Sequence, residues 1–222
     1  MCGRFSLISS TSAIKLQFGL DYLEEFTPRY NITPGQEVLF LCVPEPGEPI
    51  HPLWLRWGLI PHWAKDKSVG NKLANARGET VAEKPAFRQS FRTRRGLMVM
   101  SGFFEWTAGA EKQPYYFKSP NDDLLAIAAI WDSWQSSEGE VVRSCCLITT
   151  EANKEMREVH DRMPVILDSE GQLCWLNHEQ FEAGKLQTLI KPTNMHLEYY
   201  PVTRQMNNAR YNEPQAVVPL AE

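Results

Sequence analysis

The sequence predicts an α+β protein with a β-rich, mostly antiparallel mixed sheet or barrel-like core and short flanking helices. The chain has 222 residues, 43% of them hydrophobic and 23% charged, which is typical of a soluble protein that can bury a substantial core. Many short segments are rich in β-branched and aromatic residues and are separated by Gly, Pro and Asn turns. These segments follow one another as hairpins rather than in regular βαβ units, which favours antiparallel pairing.

The N-terminal quarter is predicted to hold one helix among strands. The predicted elements are a strand at 4–9, a helix at 11–18, an extended loop at 26–35, and strands at 38–43 and 53–60. A Ser or Thr cap precedes the helix and Gly19 ends it. Pro28 and Pro34 disfavour helix in the residues before them, so their segment is predicted to be a loop. The Pro-rich stretch 44–49 is a surface turn that makes the last two strands a hairpin.

The remainder is predicted to be mainly strands, with helices near the end. The predicted elements are a long surface loop at 62–74, short helical turns at 79–91, strands at 97–106, 115–118, 124–132 and 141–149, a helix at 151–159, a strand at 163–167, helices at 171–177 and 180–189, and an extended stretch at 196–202 before an Asn-rich tail. Pro85 interrupts the helical turns, and Gly102 permits a bulge or a close backbone approach. No change in composition suggests a linker, so one domain is expected.

Several classes of protein are disfavoured by composition. The longest apolar run, 124–131, is too short to span a bilayer, and Arg4 and Lys15 interrupt what would be a signal peptide, so a cytoplasmic protein without membrane partners is expected. The five cysteines form no CxxC pair, which argues against a disulfide framework and a metal site. The sequence contains no GxGxxG or Walker-type loop, so no cofactor is expected.

The charge distribution leaves two interpretations open. A net charge of −4 argues against a protein that coats nucleic acid nonspecifically. The segment 84–95, however, contains five basic residues and no acidic one. Such a run is either a solvated helix face or a phosphate-binding strip, and the sequence favours neither.

Cys2 is the first candidate for chemistry. If Met1 is removed, the α-amine and thiol of Cys2 form a 1,2-aminothiol, which can add to an aldehyde as an imine and then close to a thiazolidine. An α-amine, with a pKa of about 7.7–8.0, keeps a neutral fraction near pH 7 that lysine lacks. Chance or a buried first strand would also place a cysteine here, and for Cys2 taken alone this explanation is favoured.

Three further segments place polar residues among apolar ones. Arg77 could clamp a phosphate and Asn75 could bond a reacting oxygen, although asparagine is also a common helix cap. Glu105 lies among three aromatic residues, so its pKa is expected to rise toward the range of proton transfer, unless it forms a structural ion pair. His160 can titrate near neutral pH and Arg162 can hold an anion; a histidine at a helix C-terminus is the competing explanation.

Taken in order, these segments resemble one known family. The chain is similar to the SRAP (SOS-response-associated peptidase) family essentially end to end. The motifs that carry the resemblance are Met1-Cys2-Gly3-Arg4, Arg29-Tyr30-Asn31, Trp57-Gly58-Leu59-Ile60-Pro61, Asn75-Ala76-Arg77-Gly78-Glu79-Thr80, Gly102-Phe103-Phe104-Glu105-Trp106 and His160-Asp161-Arg162-Met163-Pro164. One departure is Phe104, where the family often has tyrosine; the aromatic ring is retained.

The resemblance implies a single SRAP domain over residues 1–222 that senses abasic sites in single-stranded DNA. By this analogy Cys2, after removal of Met1, forms a thiazolidine with the ring-opened aldehyde of the abasic sugar and so protects the strand from cleavage. His160 would protonate the sugar ring oxygen, Glu105 would shuttle protons at the α-amine, and Asn75 would orient Cys2 and the sugar. The family is also described as removing its own Met1 and reversing the crosslink.

For binding, the resemblance implies phosphate contacts from Arg4, Arg77 and Arg162 and base stacking on Trp106. The expected partner is single-stranded DNA with abasic sites at replication forks, bound by a monomer that is nucleoid-associated while it is on damaged DNA. Two alternatives stay open. An N-terminal-nucleophile peptidase or hydrolase would use the same Cys2, whereas a non-catalytic single-strand-binding module would not need it.

Overall fold

A computed structural model describes residues 2–109, 112–179 and 181–220. In chain order its helices and strands are β1 (Arg4–Leu7), α1 (Thr11–Phe18), β2 (Arg29–Ile32), β3 (Glu37–Cys42), β4 (His51–Trp57), β5 (Asn75–Arg77), α2 (Arg88–Thr93), β6 (Arg95–Met100), β7 (Gly102–Trp106), β8 (Pro114–Lys118), β9 (Leu125–Gln135), β10 (Val141–Glu151), β11 (Arg162–Pro164), α3 (Ser169–Leu176), α4 (Ala183–Leu189) and β12 (Glu198–Pro201). Short 3-10 turns lie at Lys67–Lys72, Met156–Glu158, Arg204–Asn207 and Pro214–Val217. No helix in these ranges is long and apolar enough to cross a membrane.

The strands form two sheets. The first has the order β12-β8-β7-β1-β2 and is antiparallel throughout. In the second, β10, β4, β3, β6 and β9 pair in succession and β9 pairs with β10 again, which closes a barrel-like ring. Among the named strands, only the pairings of β10 with β4 and β5 are parallel. The predicted fold class, β-rich and mostly antiparallel, is confirmed.

Strand β10 organises the end of the barrel where the polar motifs lie. Along one edge it pairs first with β4 and then with β5, where Thr149 lies opposite Arg77. Along the other edge it pairs first with β9 and then with β11, where Glu151 lies opposite Arg162. Two motifs that are about 85 residues apart in the sequence, on β5 and β11, therefore flank the same end of β10.

The alternation of side chains along β7 separates two apolar clusters. Phe103 belongs to the main core, together with residues of both sheets such as Phe5 and Leu147. Phe104 belongs to a smaller cluster that includes Met206 from the C-terminal tail. Since successive side chains of a strand point to opposite faces, the next two residues of β7 face different surroundings.

The helix prediction for residues 11–18 is confirmed together with its caps. The Ser10 hydroxyl accepts a hydrogen bond from the Ala13 N–H at 3.2 Å, which satisfies one of the free donors of the first turn. Gly19 ends the helix with φ of 63°, a left-handed conformation that glycine adopts without strain. The hairpin of β3 and β4 is also confirmed.

Three element predictions are wrong. The predicted loop at 26–35 contains β2, which pairs with β1 despite the flanking prolines. The predicted strand at 97–106 is two strands, β6 and β7, which belong to different sheets and are separated at Ser101. The predicted helix at 151–159 is mostly absent, because β10 continues to Glu151 to pair with β11 and only a 3-10 turn follows.

Gly102 permits a close approach of β7 to β8, and we expect Gly102→Ala to destabilise the protein. A Cβ at this position would lie 2.4 Å from Tyr116 Cζ and 2.6 Å from the Phe117 carbonyl oxygen. Overpacking of this kind costs about 1–3 kcal/mol of unfolding free energy, measurable by urea denaturation. Gly184→Ala in α4 is the matched control, because a Cβ there meets open space. It should raise stability by about 0.5–1 kcal/mol; equal effects of the two substitutions would contradict this explanation.

Candidate functional site

A cleft of about 1090 Å³ opens where β1 begins and β7 ends. It brings together four of the residues singled out in the sequence: Arg4, Glu105, Trp106 and His160. The loop before β11 supplies His160, and the C-terminal tail supplies Asn207.

Antiparallel pairing brings the first described residues to this cleft. Arg4 on β1 lies opposite Phe104 on β7, so Cys2 and Gly3 run past the Glu105 end of β7, and Gly3 lines the cleft. Cys2 is fully buried and belongs to the main core, and its Sγ donates a weak hydrogen bond to the Arg4 carbonyl at 3.8 Å. Burial raises the pKa of the Cys2 thiol far above its usual range, and the charge of Glu105 adds to this. The resting thiol is therefore protonated.

Glu105 is 3% exposed, and burial raises its pKa to about 7. The negative charge of Asp161 acts in the same direction. A carboxyl group in an apolar setting favours its neutral form, since the ionised form loses its hydration. Near neutral pH Glu105 is thus divided between acid and base, as a proton shuttle requires.

The raised pKa predicts that Glu105→Gln stabilises the fold at alkaline pH. In the unfolded chain Glu105 ionises near 4.5, whereas in the folded chain it ionises near 7, so ionisation opposes folding increasingly as pH rises between these values. At pH 8 the free energy of unfolding of the variant should exceed that of the wild type by about 2–3 kcal/mol, as measured by denaturant unfolding. At pH 4 the two values should be nearly equal. A stability gain that is independent of pH would contradict this assignment.

His160 is held by the backbone of the strand that follows it. Its Nδ1 accepts a hydrogen bond from the Arg162 N–H at 2.9 Å and lies 3.0 Å from a carboxylate oxygen of Asp161. Burial lowers the pKa of His160, although the nearby charge of Asp161 opposes this shift. The ring is therefore predominantly neutral at pH 7, and its protonated form is a stronger acid than an ordinary imidazolium.

The other predicted site residues lie beside the cleft rather than in its lining. Arg162 donates two hydrogen bonds to Glu79, at 2.5 and 3.0 Å, and one to the Thr149 carbonyl at 2.9 Å. Arg77 is exposed one strand away, opposite Thr149. On β5, Asn75 Oδ1 is buried and accepts no hydrogen bond from any described residue. A buried acceptor without a donor is costly, which makes Asn75 a candidate to receive a ligand N–H or O–H.

Arg4 and Trp106 are fixed by residues to which the sequence assigned no site role, although Asn31 belongs to one of the family motifs. Arg4 Nη1 donates to Asn31 Oδ1 at 3.0 Å and to the Met206 carbonyl at 2.9 Å, and its guanidinium lies 5.7 Å from the centre of the Trp106 ring. Trp106 Nε1 donates to Asn207 Oδ1 at 2.6 Å. In the sequence, this contact is indicated only by the asparagine-rich composition of the tail. Trp106 lies about 100 residues before Asn207, so the sequence does not show that the two residues meet.

The basic segment 84–95 is not a continuous phosphate-binding strip. Arg95 is fully buried and donates to backbone carbonyls, including those of Phe91 and Trp175. Arg94 pairs with the buried Asp132. Two of its five cations are therefore structural, and the other three, Lys84, Arg88 and Arg92, are exposed.

The fold is shared with solved structures of bacterial proteins. A crystal structure of a protein from Bacteroides thetaiotaomicron matches with a TM-score of 0.86 at 24% identity, covering 99% of this chain and 100% of that one. A protein from Bordetella bronchiseptica matches with a TM-score of 0.76 at 21% identity, covering 91% of this chain and 100% of that one. These likenesses define the class of fold.

A sequence model of the family described as SOS response associated peptidase (SRAP) matches residues 1–209, and the chain belongs to that family. The abasic site processing protein YoqW of Bacillus subtilis (strain 168) is 37% identical over 223 residues, covering 98% of this chain and 99% of that protein. The abasic site processing protein HMCES of Xenopus tropicalis is 33% identical over 190 residues, covering 75% of this chain and 56% of that protein.

Proposed function

We propose that this protein processes abasic sites in DNA by forming a covalent thiazolidine between Cys2 and the abasic sugar in single-stranded DNA. The observation that carries the proposal is a buried Cys2 close enough to Glu105 for their charges to interact. Glu105, whose pKa of about 7 suits proton transfer, lines a cleft together with Arg4, Trp106 and His160. The names of the relatives, abasic site processing proteins, support the same class of substrate. The whole activity requires Cys2 as the first residue, so Met1 must be removed beforehand.

The reaction consumes an aldehyde and releases one water. The α-amine of Cys2 adds to C1 of the ring-opened sugar, and loss of water from the resulting carbinolamine gives an imine. The Cys2 S–H then adds across the C=N bond: sulfur bonds to C1, and its proton moves to nitrogen. Ring closure removes the imine, which would otherwise act as an electron sink for β-elimination and strand cleavage.

The neighbouring residues supply the proton transfers. As a carboxylate, Glu105 accepts a proton from the α-amine; as a carboxylic acid, it protonates the departing hydroxyl of the carbinolamine. His160, in its protonated form, donates to the sugar ring oxygen and favours the open aldehyde. Asn75 Oδ1, which accepts no hydrogen bond from the described part of the chain, accepts one from the α-amine or a sugar hydroxyl and orients the reactants.

DNA binding relies on a few arginines and one aromatic side chain. Arg4 uses both N–H groups of Nη1 within the protein, while its Nε and Nη2 make no hydrogen bond to a described residue and are suited to a phosphate. Trp106 offers a stacking surface for a base next to the lesion. Arg77 and Arg162 extend the phosphate contacts, and the phosphate at Arg162 shares that guanidinium with Glu79.

A conventional cysteine peptidase is less compatible with this site. A peptidase requires a thiolate nucleophile, whereas burial and Glu105 both disfavour ionisation of Cys2. In the aldehyde reaction the amine attacks first, and the thiol adds later to an imine that is already activated. The raised thiol pKa therefore does not prevent the proposed chemistry.

The test uses an oligonucleotide containing one abasic site and a matched strand containing its tetrahydrofuran analogue, which cannot open to an aldehyde. The expected result is a heat-stable adduct with the natural site only, whose mass is that of processed protein plus DNA less one water. If neither strand forms an adduct and the protein cleaves peptides, the proposal is overturned in favour of a peptidase. Equal noncovalent binding of both strands without an adduct would favour a binding module.

A further inference from the structure

The Asn31 side chain connects β2 to the C-terminal tail and to the cleft. Asn31 is 3% exposed, and its Nδ2 donates to the carbonyls of Asn208 at 3.1 Å and Tyr211 at 2.7 Å. Its Oδ1 accepts the hydrogen bond from Arg4 described above. Both donors and the acceptor of this buried amide are thus satisfied, as a buried polar side chain requires.

The tail is also attached to β2 from its own side. β2 is an edge strand of the first sheet, so its outward N–H groups need partners. Asn212 Oδ1 accepts from the Tyr30 N–H at 2.8 Å and from the Asn31 N–H at 3.2 Å. The segment 206–212 is therefore fixed to β2 by reciprocal side-chain and backbone bonds.

The same segment contacts Arg4 and Trp106, the two residues of the cleft that are proposed to bind DNA. The Met206 carbonyl accepts from Arg4, and Asn207 Oδ1 accepts from the Trp106 indole N–H. Each of these bonds holds a side chain with many rotamers in one orientation. The attachment of the tail thus determines where the Arg4 guanidinium and the Trp106 ring lie.

We propose that Asn31 is a positioning residue: by tying the segment 206–212 to β2, it places Arg4 and Trp106 for DNA, and so controls affinity rather than the chemical step at Cys2. This inference rests on the proposed function, because it assigns Arg4 and Trp106 to DNA binding. It extends that function to a tail segment that contains none of the proposed reacting groups.

Two variants separate positioning from simple destabilisation. Asn31→Asp keeps an oxygen for Arg4 but replaces both donors to the tail with an acceptor that faces two carbonyl groups. Asn212→Ala loosens the tail from outside, at an exposed position, and leaves Asn31 intact. Asn194→Ala, at an exposed asparagine on another loop, is the matched control.

The first readout is the water exchange of indole N–H protons, observed by NMR and assigned with Trp106→Phe. Both tail variants should accelerate exchange at Trp106 alone. Trp57 and Trp175 serve as internal references, because their buried indoles donate to the carbonyls of Ala74 at 2.8 Å and Gly96 at 3.0 Å. A variant that merely unfolds more easily would accelerate all three.

The second readout is the crosslinking rate as a function of the concentration of abasic single-stranded DNA. The half-saturating DNA concentration should rise about five- to tenfold in both variants. This is the loss of affinity expected when about one hydrogen bond to the DNA is weakened. The rate at saturation should stay at the wild-type value. Asn194→Ala should change neither quantity.

Several outcomes would overturn the inference. They are wild-type half-saturation in both variants, a saturating rate that falls as much as affinity does, or unchanged exchange at Trp106. A wild-type protein that formed no adduct would instead contradict the proposed function. In that case two measurements on the same variants still decide whether Asn31 positions Arg4 and Trp106. They are the exchange rate of the Trp106 indole N–H and the affinity for unmodified single-stranded DNA.

Discussion

Cys2→Ala should lose the heat-stable adduct with abasic single-stranded DNA by more than about 100-fold, since covalent capture depends on the sulfur nucleophile. The α-amine of the variant still forms an imine, but without sulfur this imine either hydrolyses or promotes β-elimination. Strand cleavage at the abasic site should therefore increase while the adduct disappears. Denaturing gels with end-labelled DNA measure both products in one experiment.

Cys174→Ala is the control for this prediction, because Cys174 is a partly buried cysteine on α3 that does not line the cleft. It should retain the wild-type adduct. A heat-stable adduct of normal yield in Cys2→Ala would show that another nucleophile captures the sugar, and would exclude the thiazolidine.

Glu105→Gln should slow adduct formation by about 100-fold or more at pH 7.5, the usual loss when a general acid–base group is removed. The protonated fraction of His160 falls with pH in both proteins, so the Glu105 step is measured as the ratio of the wild-type rate to the variant rate. This ratio should increase with pH through about 7 as Glu105 becomes a carboxylate. Ionisation of the α-amine at about 7.7–8.0 affects both proteins alike and should not change the ratio, as measured by single-turnover kinetics from about pH 5.5 to 9.

Glu138→Gln, at an exposed turn between β9 and β10, is the matched control and should follow the wild-type profile. The same Glu105→Gln protein is expected to be more stable than the wild type at pH 8, so a slow rate cannot be attributed to unfolding. A variant that keeps both the rate and the step near pH 7 would remove Glu105 from the mechanism.

Local signals made part of the fold predictable from sequence. The caps of α1, Ser10 and Gly19, act within a few residues, so they identify the helix without knowledge of its partners. The helix predicted at 151–159 failed for the opposite reason. Pairing of Glu151 with Arg162 extends β10 there, and such pairing depends on the tertiary arrangement rather than on propensity.

Part of the candidate site could also be proposed from the sequence. Cys2, Glu105 and His160 stand out because each places a reactive group in a distinctive motif, and the first sheet and the loop before β11 bring them to one region. Asn207 could not be found in this way. It belongs to a tail without periodicity, and its contact with Trp106 appears only once the tail has packed on β2.

In the proposed adduct, one carbon of the abasic sugar bonds to both the nitrogen and the sulfur of Cys2. Peptide mapping by mass spectrometry tests it most directly, after alkylation of free thiols in the denatured adduct and digestion of protein and DNA. An N-terminal peptide that begins at Cys2 should carry the sugar less one water and no alkyl group on sulfur. An N-terminal peptide with an alkylated Cys2, or a sugar attached to any other residue, would contradict the account.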